Sequence, residues 1–144
     1  MNLFGMLEMS GSALGAERQR AEVVASNMAN AQTTHTQAGG PYRRQLVIFQ
    51  AQRTPRFSLA LAGAQRETSS AVRVAAVLSD TRPPIQRFEP GHPDADKQGY
   101  VSYPQVDPVE EMTDLLGAVR AYELNASAIQ ATKGMITQSL DLLR

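Results

Sequence analysis

The residues best placed to do chemistry stand in one loop, Glu89-Pro90-Gly91-His92-Pro93-Asp94-Ala95-Asp96-Lys97-Gln98-Gly99. Carboxylates at alternate positions, followed by a glycine, open a calcium-binding loop, because each can turn toward one centre and the glycine permits the sharp bend. The pattern then breaks. Gln98 stands where a third acidic ligand belongs, and the twelfth position is Gln105 instead of a bidentate glutamate. Aspartates beside proline and glycine also cap the backbone amides of a turn, and this reading fits the loop better. The two histidines, His35 and His92, lie in no H-E-x-x-H or H-x-E context, and no G-x-S-x-G elbow occurs. Gly39-Gly40 runs into Pro41, not into a Lys-Ser/Thr pair, so it reads as a hinge between elements and not as a phosphate loop. No set of acid, base and nucleophile converges, so the expectation is a protein that is not an enzyme, with no cofactor and no metal.

Arg43-Arg44, Arg53 and Arg56, with Phe57 nearby, form a mild basic patch that reads as a solvated strand face. Nucleic-acid binding needs greater basic density and a recognisable module. Lys plus Arg equals Asp plus Glu at 14 each, so no net field draws the chain to nucleic acid or anionic lipid, and little charge opposes self-association. Hydrophobic residues make up 42% and charged residues 19%, enough apolar content for one domain or two small lobes. The chain has no cysteine, which excludes disulfides and thiolate metal sites. The start, Met1 to Glu8, lacks a basic region and is not a cleavable signal. No apolar run suits a bilayer span. On residues alone the default location is cytoplasmic.

The elements around these residues are two terminal helices and a middle of short strands, an α+β class. Residues from about 3 to 31 carry Leu3, Leu7, Ser10, Leu14, Glu17, Ala21, Val24, Met28 and Ala31 at alternating steps of four and three. Gly5, Gly11 and Gly15 each weaken that helix by roughly 1 kcal/mol, so it needs a partner surface. Asn30 suits its end, since asparagine tolerates the left-handed cap. After Gly39-Gly40-Pro41, strands are expected at Tyr42 to Gln50, Ala71 to Leu78 with Val72, Val74 and Val77 inward, Ile85 to Glu89, and Tyr100 to Tyr103. Residues 51 to 70 read as a variable loop. The domain expectation is an N-terminal helix in 1–36, a small antiparallel β lobe in 37–106, and a C-terminal helix in 107–144 that pairs with the first as a coiled-coil-like hairpin.

Asp107 caps the last helix, Pro108 suits its first position, and Glu110 and Glu111 favour its positive end; Asp107 to Glu110 also has capping-box spacing. To Arg144 it would be on the order of 50 Å long. One stripe along it is Met112, Leu116, Val119, Tyr122, Ala126, Ile129, Ile136 and Leu140. A second is Leu124, Ala128, Ala131, Met135 and Leu142, on roughly the opposite side. A helix apolar on two sides must be buried on two sides. The first helix can cover one stripe, and another subunit is the expected cover for the other. Asn27 and Asn30 lack a glycosylation hydroxyl and suit capping or bonding between packed helices. The interaction residues expected on the helices are Leu7, Leu14, Val24, Asn27, Met28, Asn30, Met112, Leu116, Val119, Tyr122, Leu124, Asn125, Ile129, Met135, Ile136 and Leu140.

Several segments together are familiar. Ser12-Ala13-Leu14 and Ala25-Ser26-Asn27-Met28-Ala29-Asn30-Ala31-Gln32-Thr33-Thr34 resemble the N-terminal signature of bacterial flagellar rod and hook proteins. Gly39-Gly40-Pro41-Tyr42-Arg43-Arg44, Glu89 to Asp96, Gly99-Tyr100-Val101 with Tyr103-Pro104, and Glu110-Glu111-Met112 leading to Arg120-Ala121-Tyr122-Glu123-Leu124-Asn125 narrow the resemblance to the proximal rod. Gln105 stands where the family often has Asn, and 51 to 70 is longer than usual. The resemblance implies a structural subunit of the basal-body rod that crosses the periplasm, exported without a cleaved signal, which replaces the cytoplasmic default. It implies helical self-assembly through the terminal helices and torque transmission. The implied partners are further copies, rod proteins of the FlgB, FlgF, FlgG and FliE types, and the flagellar type III export apparatus, with no nucleic acid and no membrane insertion. The competing expectation is a helical-hairpin binding module that takes a cation through Asp94–Asp96.

Overall fold

The computed structural model describes residues 3–53 and 70–142. The first element, α1 (Leu3–Ala29), stops just short of the expected end. Asn30 closes it: its backbone N–H and its Nδ2 both donate to the Ser26 carbonyl, at 3.1 and 2.9 Å, and its Oδ1 accepts from Thr33 Oγ1. Among the described residues no non-glycine has positive φ, so the cap is made by the side chain and not by left-handed backbone. Gly39 and Gly40 do take left-handed conformations, at φ 87° and 74°, and let Thr36 N donate to Gly40 O across a tight reversal.

Two strands, β1 (Gln45–Arg53) and β2 (Ser70–Ser79), form a two-stranded sheet. Asp80 N donates to Arg44 O at one end, and Arg73 Nη2 to Gln50 Oε1 farther along, so the strands run antiparallel. β1 begins at Gln45 and not at Tyr42, because Tyr42 N is bonded to Thr33 O and Arg44 is buried. On β2, Val72, Val74 and Ala76 are half-buried while Arg73, Ala75 and Val77 are exposed. Val77 therefore leaves the inward set: strand side chains alternate with period two, and 77 is out of phase with 72 and 74. Within the expected loop 51–70, Ala51 to Arg53 and Ser70 belong to strands; 54–69, with Arg56 and Phe57, lie outside the described residues.

A second sheet pairs β3 (Ile85–Phe88) with β4 (Tyr100–Tyr103), antiparallel, with Ile85 opposite Tyr103 and Phe88 opposite Tyr100. β3 is exposed at every position, whereas β4 buries Val101 completely. Between them Asp96 Oδ1 accepts from Gln98 N and Tyr100 N at 2.8 and 2.9 Å. Gly99 turns the chain at φ 86°, and a Cβ there would sit 2.9 Å from Phe88 Cε2 and 3.2 Å from Pro90 Cβ. Gly99→Ala is expected to cost about 1–3 kcal/mol in urea unfolding, from backbone strain and ring displacement. Gly91→Ala in the same loop, where nothing lies within 4 Å, should be near neutral.

The last element, α2 (Pro108–Asp141), starts as expected: Asp107 Oδ1 accepts from Val109 N at 2.9 Å. Glu110 does not complete a capping box; it turns to Arg44, 3.3 Å from Nη1. The architecture is α+β, with terminal helices and small antiparallel sheets between them in the chain.

The chain gathers into two compact units of discontinuous stretches, Met1–Gln19, Phe49–Ala75 and Ala118–Arg144 in one, Arg20–Ile48 and Ala76–Gly117 in the other. In the first unit Ala16, Ala118 and Thr132 are buried, and Ser12 Oγ accepts from Val72 N at 3.0 Å, joining α1 to a β2 amide. In the second, the buried residues are Val24, Val101, Pro104 and Val106 with Asn27, Arg44 and Glu111. There α1 and α2 run antiparallel: Asn27 meets Glu111, and Arg20 Nη2 lies 3.2 Å from where a Cβ on Gly117 would be.

Candidate assembly surface and the polar clamp beside it

Three elements of the second unit meet in a buried polar cluster. α1 supplies Asn27, the segment entering β1 supplies Tyr42, Arg44 and Gln45, and the first turn of α2 supplies Glu111. Asn27 is 1% exposed and Glu111 0%. Asn27 Nδ2 donates to Gln45 O at 2.9 Å and to Glu111 Oε2 at 3.0 Å. Its Oδ1 accepts from Gln45 N and from Tyr42 OH, both at 2.9 Å. All four hydrogen-bonding positions of the amide are used. The side chain thus grips both backbone groups of Gln45, as a neighbouring strand would.

Arg44 is the cationic half. Its Nε donates to Glu111 Oε1 at 2.5 Å, and its terminal nitrogens lie 3.3 Å from Glu110 and 3.5 Å from Asp114. Glu111 gains further from the positive helix end it occupies. The expectation of a solvated basic face fails at Arg44, which is buried, and holds for Arg43, which is exposed. Asn27 does bond between packed elements, as its type suggests. Arg44 and Glu111 carry no sequence signal of pairing, since 67 residues separate them.

On α2 the inward line is Glu111, Leu115, Ala118, Asn125, Ile129, Thr132 and Ile136, spaced by threes and fours or their sums. Its fully buried members are small or polar. Ile129 and Ile136 of the first stripe fall on this line, and the other large residues of the two stripes flank it. Met112, Leu116, Val119 and Tyr122 lie to one side, Leu124, Ala131 and Met135 to the other, and all are exposed. Leu116 and Leu124 keep 57% and 72% of their surface. The first stripe is therefore split: its later residues Ala126, Ile129 and Ile136 are half-buried, whereas Met112, Leu116, Val119 and Tyr122 are left exposed on the flank. Of the remaining expected interaction residues, Val24 and Asn27 are buried. Leu7, Leu14, Met28, Asn30, Asn125, Ile129 and Ile136 are half-buried, and Leu140 is exposed. Among the described residues six apolar side chains, Pro104 included, are buried and nineteen large ones exposed, far more outward apolar surface than isolated exposed residues account for.

The acidic loop is occupied with its own chain. Asp94 Oδ2 accepts from Thr34 Oγ1 at 2.6 Å, and Asp94 N donates to His92 Nδ1. Among the described residues no group of three or more His, Asp or Glu is arranged to hold a metal ion. Tyr103 anchors this end: its OH donates to Glu89 Oε2 at 2.9 Å, and Arg87 lies over its ring at 4.9 Å. The bond to Glu89, then burial and the Glu89 charge, push the phenol above its ordinary value, against a smaller lowering by Arg87. A raised folded pKa favours the neutral phenol. Its stabilisation is complete below the unfolded phenol pKa and is lost as pH rises through the folded one. Glu89→Gln should therefore lower the pH at which Tyr103 ionises, followed by ultraviolet absorbance.

Helices closed on small and polar residues, with larger apolar side chains turned outward, are the arrangement of a structural subunit. Known proteins make that class specific. The model for flagella basal body rod protein matches residues 7–34, and that for the flagellar basal body rod FlgEFG protein C-terminal matches 97–142. The flagellar basal-body rod protein FlgC of Bacillus subtilis is 40% identical, over 99% of this chain and 99% of its own. That of Borreliella burgdorferi is 37% identical, over 100% and 99%, and that of Salmonella typhimurium 36%, over 99% and 98%. The chain belongs to the FlgC family of flagellar basal-body rod proteins.

Proposed function

We propose that the chain is a structural subunit of the proximal rod of the flagellar basal body, assembling helically through its terminal helices and transmitting torque. The observation that carries this reading is the pair of exposed apolar flanks on α2, beside a helix line already closed by Ala118, Asn125 and Thr132. Residues 1–36 and 107–144 are the assembling part, and 37–106 the lobe between them. Packing the flanks of many copies would give a dense interior, and dense interiors transmit strain instead of absorbing it. The partners are further copies and rod proteins of the FlgB, FlgF, FlgG and FliE types, reached after export through the type III apparatus. The test is cryo-tomography of basal bodies in cells with and without the protein. The expected result is a rod interrupted in its absence and restored by the wild-type chain; a complete rod without it overturns the proposal.

A further inference from the structure

A buried ion pair is a poor source of net stability, because desolvating two charges offsets most of their attraction. The second unit nevertheless places Glu111 at 0% exposure and Arg44 at 9%. About two turns further along the same contact, Arg20 of α1 lies against Gly117 of α2, which has no side chain. Sliding one helix along the other by one turn would move its side chains about 5.4 Å. The polar cluster does not permit that displacement. One oxygen of Glu111 is held by Arg44 and the other by Asn27, so two different elements grip it. Asn27 in turn holds both the N–H and the C=O of Gln45. Any shift of α2 leaves a buried carboxylate and a buried guanidinium without each other, and any shift of α1 releases a strand-end peptide.

We propose that Asn27, Arg44 and Glu111 form a register lock, positioning residues that set which turn of α2 stands beside which turn of α1 and where β1 departs. The lock favours the alignment in which the Glu111 carboxylate, the Arg44 guanidinium and the Asn27 amide are all satisfied. It belongs to the single chain and does not depend on rod assembly.

The chain has no cysteine, so spin labels go only where cysteines are introduced. Ala25→Cys on α1 and Thr113→Cys on α2 are exposed and outside the cluster. Electron–electron distance measurement on the labelled full-length chain should give one narrow distance. In an Arg44→Met, Glu111→Leu background, which removes both charges while retaining bulk, helical content should persist. A second distance, held by at least a fifth of the molecules, should then appear. A single narrow distance in that folded background overturns the lock. If that background does not fold, Glu111→Gln decides: it keeps the side-chain shape but sets an amide donor against Arg44 or Asn27. A second distance there supports the lock, and one unchanged distance overturns it.

Discussion

Glu111→Ala lowers the stability of the chain by about 3–5 kcal/mol, the cost of leaving a buried charge without its partner. The deleted carboxylate is the acceptor for Arg44 Nε and for one Asn27 Nδ2 hydrogen. The ion pairs Arg44 keeps among the described residues, to Glu110 and Asp114, involve side chains 58% and 52% exposed and are solvent-screened. Against a total of about 5–15 kcal/mol such a loss is large, and thermal unfolding should fall by about 10 °C or more. Glu110→Ala and Asp114→Ala should each cost less than about 1 kcal/mol, although both touch the same guanidinium. Urea unfolding of the three variants separates burial from charge count: equal losses would show that the cluster behaves as a surface network. This outcome does not conflict with a register role. Removing one partner strands the other, whereas replacing both by apolar residues strands neither.

Leu124→Asp with Met135→Asp should leave the single chain folded and abolish motility. Both residues lie on the exposed flank of α2, at 72% and 44% exposure, and neither is among the buried residues of the free chain. Substitutions at such positions stay within about 0.5 kcal/mol in unfolding. In an assembly the balance reverses. Each of these side chains is worth roughly 1.5–3 kcal/mol when fully covered, and a carboxylate in the same place must be desolvated without a partner. The combined change exceeds about 3 kcal/mol per contact, more than a hundredfold in association, and it repeats with every copy added. The measurements are circular dichroism and urea unfolding on the purified chain, and swimming with basal-body imaging in cells. A motile strain with a complete rod would remove the Leu124 flank from the interface. A folded chain with no rod is the expected pair of results.

The residues named in these two predictions were not equally legible. Leu124 and Met135 stand out in the sequence because spacing along one helix reports which residues share a side. Glu111 did not stand out: its neighbour Glu110 offers the same charge to the same helix end, yet one is fully buried and the other is exposed. Arg44 sits beside Arg43 with the same ambiguity. Asn30 was legible as a helix end, but the cap it makes uses the side chain. The strand positions came through with their ends displaced, because Tyr42 and Arg44 are held by partners outside the sheet.

By itself the sequence determined the terminal helices, the Asp107 cap, the glycine turns, the strand segments and the two apolar stripes. Each rests on local conformational preference or on a period within one element. The tertiary structure alone decided which line of α2 turns inward, that Leu116 and Leu124 on its two flanks remain outside, and that Asn27, Arg44 and Glu111 meet. Close approach selects small side chains, and burial of a charge depends on partners brought together from distant stretches of chain. Neither quantity is contained in the local pattern of any one segment.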